Sequence, residues 1–201
     1  MDQKQVIPIR EQIAEQIRSD IIGGKLQPGE RLREEFLSER FGVSRGPIRD
    51  VFIQLTKEGL LVSRTNRGVA VNDLPSPELQ SLMIGLRQKI EIYAMKPLSR
   101  VINDDDFRHL DQILENLTRA LEANDFTEAT KIDLSFHRYM LFRAGGEELV
   151  NIWTPIVLRM RMNYKRITTP KQSIEEHQAI LRALRDGNLR AAAQALKANI
   201  R

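Results

Sequence analysis

Two prolines, two residues apart in Leu74-Pro75-Ser76-Pro77, constrain this chain more than any other feature. Each fixes φ and removes a backbone donor, so neither a helix nor a strand is expected to continue through them. The 201 residues must then build their cores on either side, over 1–74 and 78–201, with 75–77 as the linker. A chain of this size can bury a sizeable core without covalent staples. Cysteine is absent, which excludes a disulfide framework, an iron–sulfur cluster and a thiolate zinc site. No apolar run approaches a membrane span, and the polar start Met1-Asp2-Gln3-Lys4 is no signal peptide. A cytoplasmic protein with no membrane partner is expected.

Lys and Arg number 31 and Asp and Glu 27, a net charge of +4. The total says little, because the two halves share it almost evenly. Between Arg40 and Arg67, however, Arg40, Arg45, Arg49, Lys57, Arg64 and Arg67 face only Asp50 and Glu58. A compressed basic excess of this kind is the electrostatic footprint of a nucleic-acid site, although a solvated face would look the same by charge alone.

The elements around that excess favour the first reading. Ile9, Ile13, Ile17 and Ile21 recur every fourth residue and mark a helix from Pro8 to Ile22, ended by Gly23-Gly24. Gln27-Pro28-Gly29-Glu30 is a turn. A short helix with Leu32, Phe36 and Leu37 facing inward is expected next, stopping at Phe41-Gly42. Ser44 is a good N-cap for the following helix, Pro47 suits its first turn, and Ile48, Val51, Phe52 and Leu55 form its buried face. Leu60–Arg64 and Gly68–Val71 read as a small hairpin with a polar tip at Thr65-Asn66-Arg67. Helix, short helix, tight turn, helix, hairpin is the order of a winged helix-turn-helix. Its second turn helix can enter a major groove with Ser44, Arg45, Gly46 and Arg49 leading, and Arg67 and Gly68 at the hairpin tip can reach a minor groove or the backbone. An arginine gripping guanine O6 and N7 is worth roughly 1–3 kcal/mol of discrimination.

Leu26-Gln27-Pro28-Gly29-Glu30-Arg31-Leu32, Phe41–Asp50, Leu55–Leu61 and Asn66-Arg67-Gly68-Val69, in that order, resemble the winged-helix domain of the GntR family of bacterial transcription regulators. The resemblance runs from about Ile9 to Val71. It implies that Ser44, Arg45 and Arg49 contact operator DNA and that the wing glycine lies in the minor groove. Gly46 stands where the family often has Thr. Glu35 stands where one branch has a DNA-contacting Arg, so no such contact is carried over.

Beyond Pro77 no strand signal appears, and the pattern predicts an all-helical bundle of about six helices. One runs from Glu78 to Arg100 with Pro97 kinking or shortening it. The next runs from Asp104 or Asp105 to Ala123, capped by Asn103. Asp125–Glu128 has capping-box spacing and opens a helix to Ala144. Gly145-Gly146 precedes a helix from Glu147 to Thr168, where Pro155 can kink. Ser173–Glu176 reads as the capping box of a helix ending near Asp186, and Leu189 to Arg201 is the last. The fold class is mainly α: a winged helix-turn-helix, then a helical bundle.

Asp133 and His137, four apart, share one helical face, where a carboxylate and an imidazole can hold a divalent ion jointly. His177 is a candidate third ligand. A surface hydrogen bond is the simpler account of such a pair. Asp133–His137, Glu176–Ile180 and Gly187–Ala193 resemble the FCD effector-binding domain of FadR-like GntR regulators, with a helix count like the VanR-type subset. That resemblance implies a metal held by Asp133, His137 and His177, with Asn199 where the fourth ligand is usually His. Zinc, nickel or manganese would suit such a donor set. It also implies that Arg87, matched together with Glu91, points into a central cavity toward an acidic effector, with Arg159 and Arg161 as further candidates. Without the resemblance, Arg87 and Glu91 would pass for an ordinary surface pair. Trp153, Phe136, Phe142 and Met83, Met95, Met140, Met160 and Met162 are expected in the core.

The function expected is a ligand-responsive, DNA-binding repressor without enzymatic activity. A homodimer would present two recognition helices to a near-palindromic operator, and an organic acid would release it. The alternatives are a metal-dependent enzyme built on Asp133, His137 and His177, and an adaptor that binds protein through the bundle. The enzyme reading leaves the basic winged helix unexplained.

Overall fold

The computed structural model describes residues 7–64, 68–162 and 169–201. The chain divides into two compact units, one closing at Pro75 and the other opening at Ser76.

The N-terminal unit runs α1 (Ile9–Ile22), β1 (Arg31–Leu32), α2 (Glu34–Phe41), α3 (Arg45–Lys57), β2 (Leu61–Arg64) and β3 (Gly68–Val71). The four-residue spacing on α1 buries Ile13, Ile17 and Ile21. Ile48, Val51, Phe52 and Leu55 are buried on α3, as their spacing requires. Gly42 ends α2 at φ 64°, a left-handed turn that reverses the chain into α3. Two expectations fail here. Leu32 does not belong to the short helix: Arg31 and Leu32 pair with Ala70 and Val69, so the hairpin gains a third strand in the order β1-β3-β2. Phe36 is 62% exposed, because α2 starts at Glu34 and turns Leu37 inward instead. The hairpin tip at 65–67, and with it Arg67, lies outside the described residues.

The second unit contains α4 (Pro77–Leu98), α5 (Asp104–Glu122), α6 (Phe126–Arg161), α7 (Pro170–Arg185) and α8 (Leu189–Asn199). Helical dihedrals fail inside α6 at Gly145 and Gly146, the latter at φ 63° and ψ −160°. Two helical stretches therefore flank the glycine pair, as the sequence implied, and the second continues through Pro155. Pro77 is not linker but the first residue of α4, where its missing N–H costs nothing, and Ser76 caps it by accepting from the Leu79 N–H. Likewise α7 starts a turn before the expected capping box, at Pro170, with the Thr169 hydroxyl accepting from Gln172. Asn103 and Asp106 form a full capping box on α5. The same Asp106 carboxylate accepts from Tyr139 at 2.6 Å and pairs with Arg143 at 2.8 Å, tying the start of α5 to the middle of α6. Helix α7 packs on α8 and α5, and α4 packs on α8. Phe136, Met140, Trp153, Met95 and Leu117 are buried among them, but Phe142 faces solvent.

Candidate functional site

Burying one stripe of α3 turns the other outward, and Ser44, Arg45, Gly46 and Arg49 are all exposed. Ser44 occupies the N-cap position with extended backbone, yet its hydroxyl makes no capping bond. A Cβ on Gly46 would meet nothing nearer than the Ser44 Oγ at 4.0 Å, so the position is open. Gly68 is the first residue of β3. The basic excess is not bare charge. Arg45 Nη2 donates to Glu35 Oε1 at 2.6 Å and Arg49 Nε to Glu34 Oε2 at 2.8 Å. Arg40 is paired with Asp20 and Arg64 with Asp73. Four of the six bases counted in the sequence window thus each hold a carboxylate.

A second site lies inside the helical unit. The core stripe of α4 reads Met83, Arg87, Glu91, Met95 and Leu98, all buried. Two of those five positions carry charge, so Arg87 and Glu91 are not a surface pair. Glu91 Oε1 accepts from Arg87 Nε at 2.7 Å and from Trp153 Nε1 at 2.8 Å, while its Oε2 meets His137 Nδ1 at 2.6 Å. Burial alone would raise the Glu91 carboxyl, but the charges and hydrogen bonds of His137 and Arg87 outweigh it and hold it at about 2. His137 is pushed down, because burial outweighs the pull of Glu91. At neutral pH the carboxylate is ionised, the imidazole is neutral, and the His137 proton sits on Nδ1. His137 Nε2 is then a buried lone pair without a hydrogen-bond partner among the described residues.

His177 is fixed in the same sense from another direction. Its Nδ1 lies 2.7 Å from the Ser173 carbonyl oxygen, which can only accept, so Nδ1 carries the proton. Its Nε2 faces Asp133 Oδ1 at 3.2 Å. Two acceptors at that distance repel unless a proton or a metal ion lies between them. The ligand atoms of Asp133, His137 and His177 lie within 4.8 Å of one another. Each imidazole has its second nitrogen engaged by a carboxylate or carbonyl, the arrangement that aims and strengthens a metal ligand. The donor set fits a divalent cation. Asn199 Nδ2 lies 3.5 Å from Nδ1 of His177, but that nitrogen already gives its proton to Ser173 and cannot accept from the amide. Arg87 Nη2 is buried with no hydrogen-bond partner among the described residues. Arg159 is half-buried and Arg161 buried near the end of α6.

Comparison with known proteins decides the family. Residues 9–71 match the model for bacterial regulatory proteins of the gntR family, and residues 83–201 match the FCD domain. The chain belongs to the GntR family. It is 28% identical over 187 residues to the HTH-type transcriptional repressor RspR of Escherichia coli (strain K12), covering 90% of this chain and 82% of that one. It is 26% identical over 183 residues to the gluconate operon transcriptional repressor of Bacillus licheniformis, covering 86% and 74%. Among solved structures, E. coli McbR/YncC superposes with a TM-score of 0.81 at 21% identity over 97% of this chain and 94% of that one, a likeness of fold.

This GntR chain is a DNA-binding transcription regulator and not an enzyme, which speaks against the metal-dependent-enzyme alternative. Its FCD domain carries an Asp–His–His group suited to a metal. No described helix is long and apolar enough to cross a membrane. Sequence reasoning grouped Asp133, His137 and His177 but missed the side chains that orient them. The charged residues on the α4 stripe were legible as a four-residue spacing shared with Met83, Met95 and Leu98. Nothing local to Trp153 or Glu34 revealed what they touch.

Proposed function

We propose that this regulator is a homodimeric, cytoplasmic repressor, with residues 1–74 reading DNA, 75–76 linking and 77–201 sensing a small organic acid. Ser44, Arg45, Gly46, Arg49, Arg67 and Gly68 form the DNA-contacting set. Asp133, His137 and His177 hold a divalent ion, with Asn199 as an amide donor beside them and zinc, nickel or manganese as the ions that imidazole and carboxylate suit. A bound ion would supply positive charge and an electrophilic coordination site. Arg87, joined by Arg159, receives the carboxylate of the effector.

The observation that carries the sensing role is the buried Nη2 of Arg87, which lacks a hydrogen-bond partner among the described residues while its Nε is anchored on Glu91. A buried donor left unmade is costly, and a carboxylate at that nitrogen would satisfy it. The names of RspR and of the gluconate operon regulator support repression. Effector binding lowers operator affinity by favouring the dimer arrangement that fits DNA less well. The test is binding to the protein's own promoter and to random DNA in moderate salt, with and without a panel of small carboxylates. Preference for the promoter, lost on adding one carboxylate, is expected. Equal affinity for both DNAs overturns DNA reading, and a panel without effect overturns the organic-acid assignment.

A further inference from the structure

Glu34 and Glu35 hold the two arginines of the recognition helix yet have no part in the DNA-contacting set. A guanidinium offers two forks of parallel donors: Nη1 with Nη2 at its end, and Nε with Nη2 along its side. Guanine O6 and N7 accept from one fork. Glu34 takes Arg49 at Nε. That occupies the side fork, keeps the end fork intact, and fixes the direction of a long side chain before DNA arrives. Glu35 takes Arg45 at Nη2, the nitrogen that both forks share. Nη2 carries two N–H groups, one in each fork, so this contact takes one fork of Arg45 and competes with DNA for it.

We propose that these glutamates set the DNA specificity of the protein. Glu34 is a positioning residue that aims Arg49 at a base edge, and Glu35 is a competitor that holds Arg45 back from DNA. Both roles rest on Arg45 and Arg49 being base contacts, as proposed above. Two carboxylates at the groove also oppose phosphate-driven binding, which carries affinity but no sequence information. Both residues lie in the first turn of α2, where acids favour a helix start. That role alone would change melting temperature and leave sequence preference untouched.

The test uses the full chain, a duplex that the wild type selects from a random-sequence pool, and a shuffled version of it. Affinities for both are measured between ~50 and ~200 mM salt, where phosphate contacts are most visible. For Glu34→Gln the ratio of selected to shuffled affinity falls about threefold to tenfold, part of what one bidentate pair carries. For Glu35→Gln both affinities rise and the ratio does not fall. Glu39→Gln, an exposed acid on the same helix, controls for charge and shifts both duplexes equally. Melting curves confirm folding, since exposed ion pairs contribute little to stability. A wild-type ratio for Glu34→Gln, or behaviour matching Glu39→Gln, overturns the positioning role. A lowered ratio or unchanged affinities for Glu35→Gln overturn the competing role. Arg45→Ala and Arg49→Ala separate the two levels. If they leave the ratio unchanged, the assignment of the arginines as base contacts fails. If Arg49→Ala lowers it and Glu34→Gln does not, only the positioning role of Glu34 fails.

Discussion

Arg49 in the N-terminal unit and Arg87 in the helical unit each meet a glutamate through Nε, at 2.8 and 2.7 Å. The side chains of the first pair are 63% and 33% exposed, those of the second 3% and 1%. Water competes for every bond of the first, so the pair is worth about 0–1 kcal/mol and can aim Arg49 without being needed for the fold. The second pair has lost its hydration, at a cost of several kcal/mol per ion. It persists because Glu91 takes three donors, from Arg87, Trp153 and His137. Distance does not rank these pairs; burial and completeness of hydrogen bonding do. The exposed pair is suited to aiming a side chain, and the buried one to holding a ligand still.

The largest effect should come from breaking the buried member. Glu91→Ala leaves the Arg87 charge buried without its partner, and about 3–5 kcal/mol of stability should be lost. Urea unfolding followed by Trp153, the single tryptophan, reads the helical unit directly. Glu34→Ala should stay within ~0.5 kcal/mol in circular dichroism melts. Similar losses from the two changes would break the comparison.

Next comes metal affinity. Glu91→Gln keeps the shape of the side chain but removes the charge that holds the His137 proton on Nδ1. Zinc affinity, measured against a competing chelator, should fall about 10- to 100-fold. Glu34→Gln should leave it unchanged. If Glu91→Gln binds zinc as the wild type does, the carboxylate does not prepare the ligand.

Acid should also separate the units, measured with chelator present. His137 is lowered in the fold, so the unfolded chain binds more protons between the folded value and the unfolded one, about 6.5. The helical unit should lose stability as pH falls below that value. Glu91 is held at about 2, so its contribution is present above the unfolded carboxylate value, about 4.3, and is lost as pH falls from there toward 2. Trp153 fluorescence that stays constant through both windows would show that this network does not govern acid stability.

What the sequence revealed follows the same division between local and assembled features. Spacing alone placed α1 and α3, because Ile13, Ile17 and Ile21, or Ile48, Val51, Phe52 and Leu55, need only one helix to define a face. The pairing of Arg31 and Leu32 with β3 needed a partner nearly 40 residues away, and a strand of two residues leaves no period to detect. The start of α7 was misplaced because Ser173–Glu176 satisfies a capping pattern that Thr169 and Pro170 satisfy a turn earlier. At the buried site, the pair Asp133 and His137 was readable from a single helix. That His177 faces Asp133, and that Glu91 faces His137, comes from helices brought together by packing. The glutamates on Arg45 and Arg49 are closer in sequence, but they sit on a different helix across a turn, and charge counting scored the arginines as bare.

The smallest effect belongs to Gly46, and it tests whether the exposed face is as permissive as the comparison implies. A Cβ there has open space around it, and the position lies in the first turn of α3. Gly46→Thr should therefore fit without strain. It should gain a few tenths of a kcal/mol in helix propensity, ~0.3. Its hydroxyl lies at a helix N-terminus, where phosphate oxygens are drawn. Phosphate contacts position a protein without informing it of sequence. Affinity for selected and shuffled duplexes should rise together by a small factor, with the ratio preserved. A gain restricted to the selected duplex would place residue 46 at a base edge. A loss on both would mean that the groove comes closer to α3 than an open Gly46 allows, and that the exposed surface is as tightly fitted in the complex as the buried site is in the free protein.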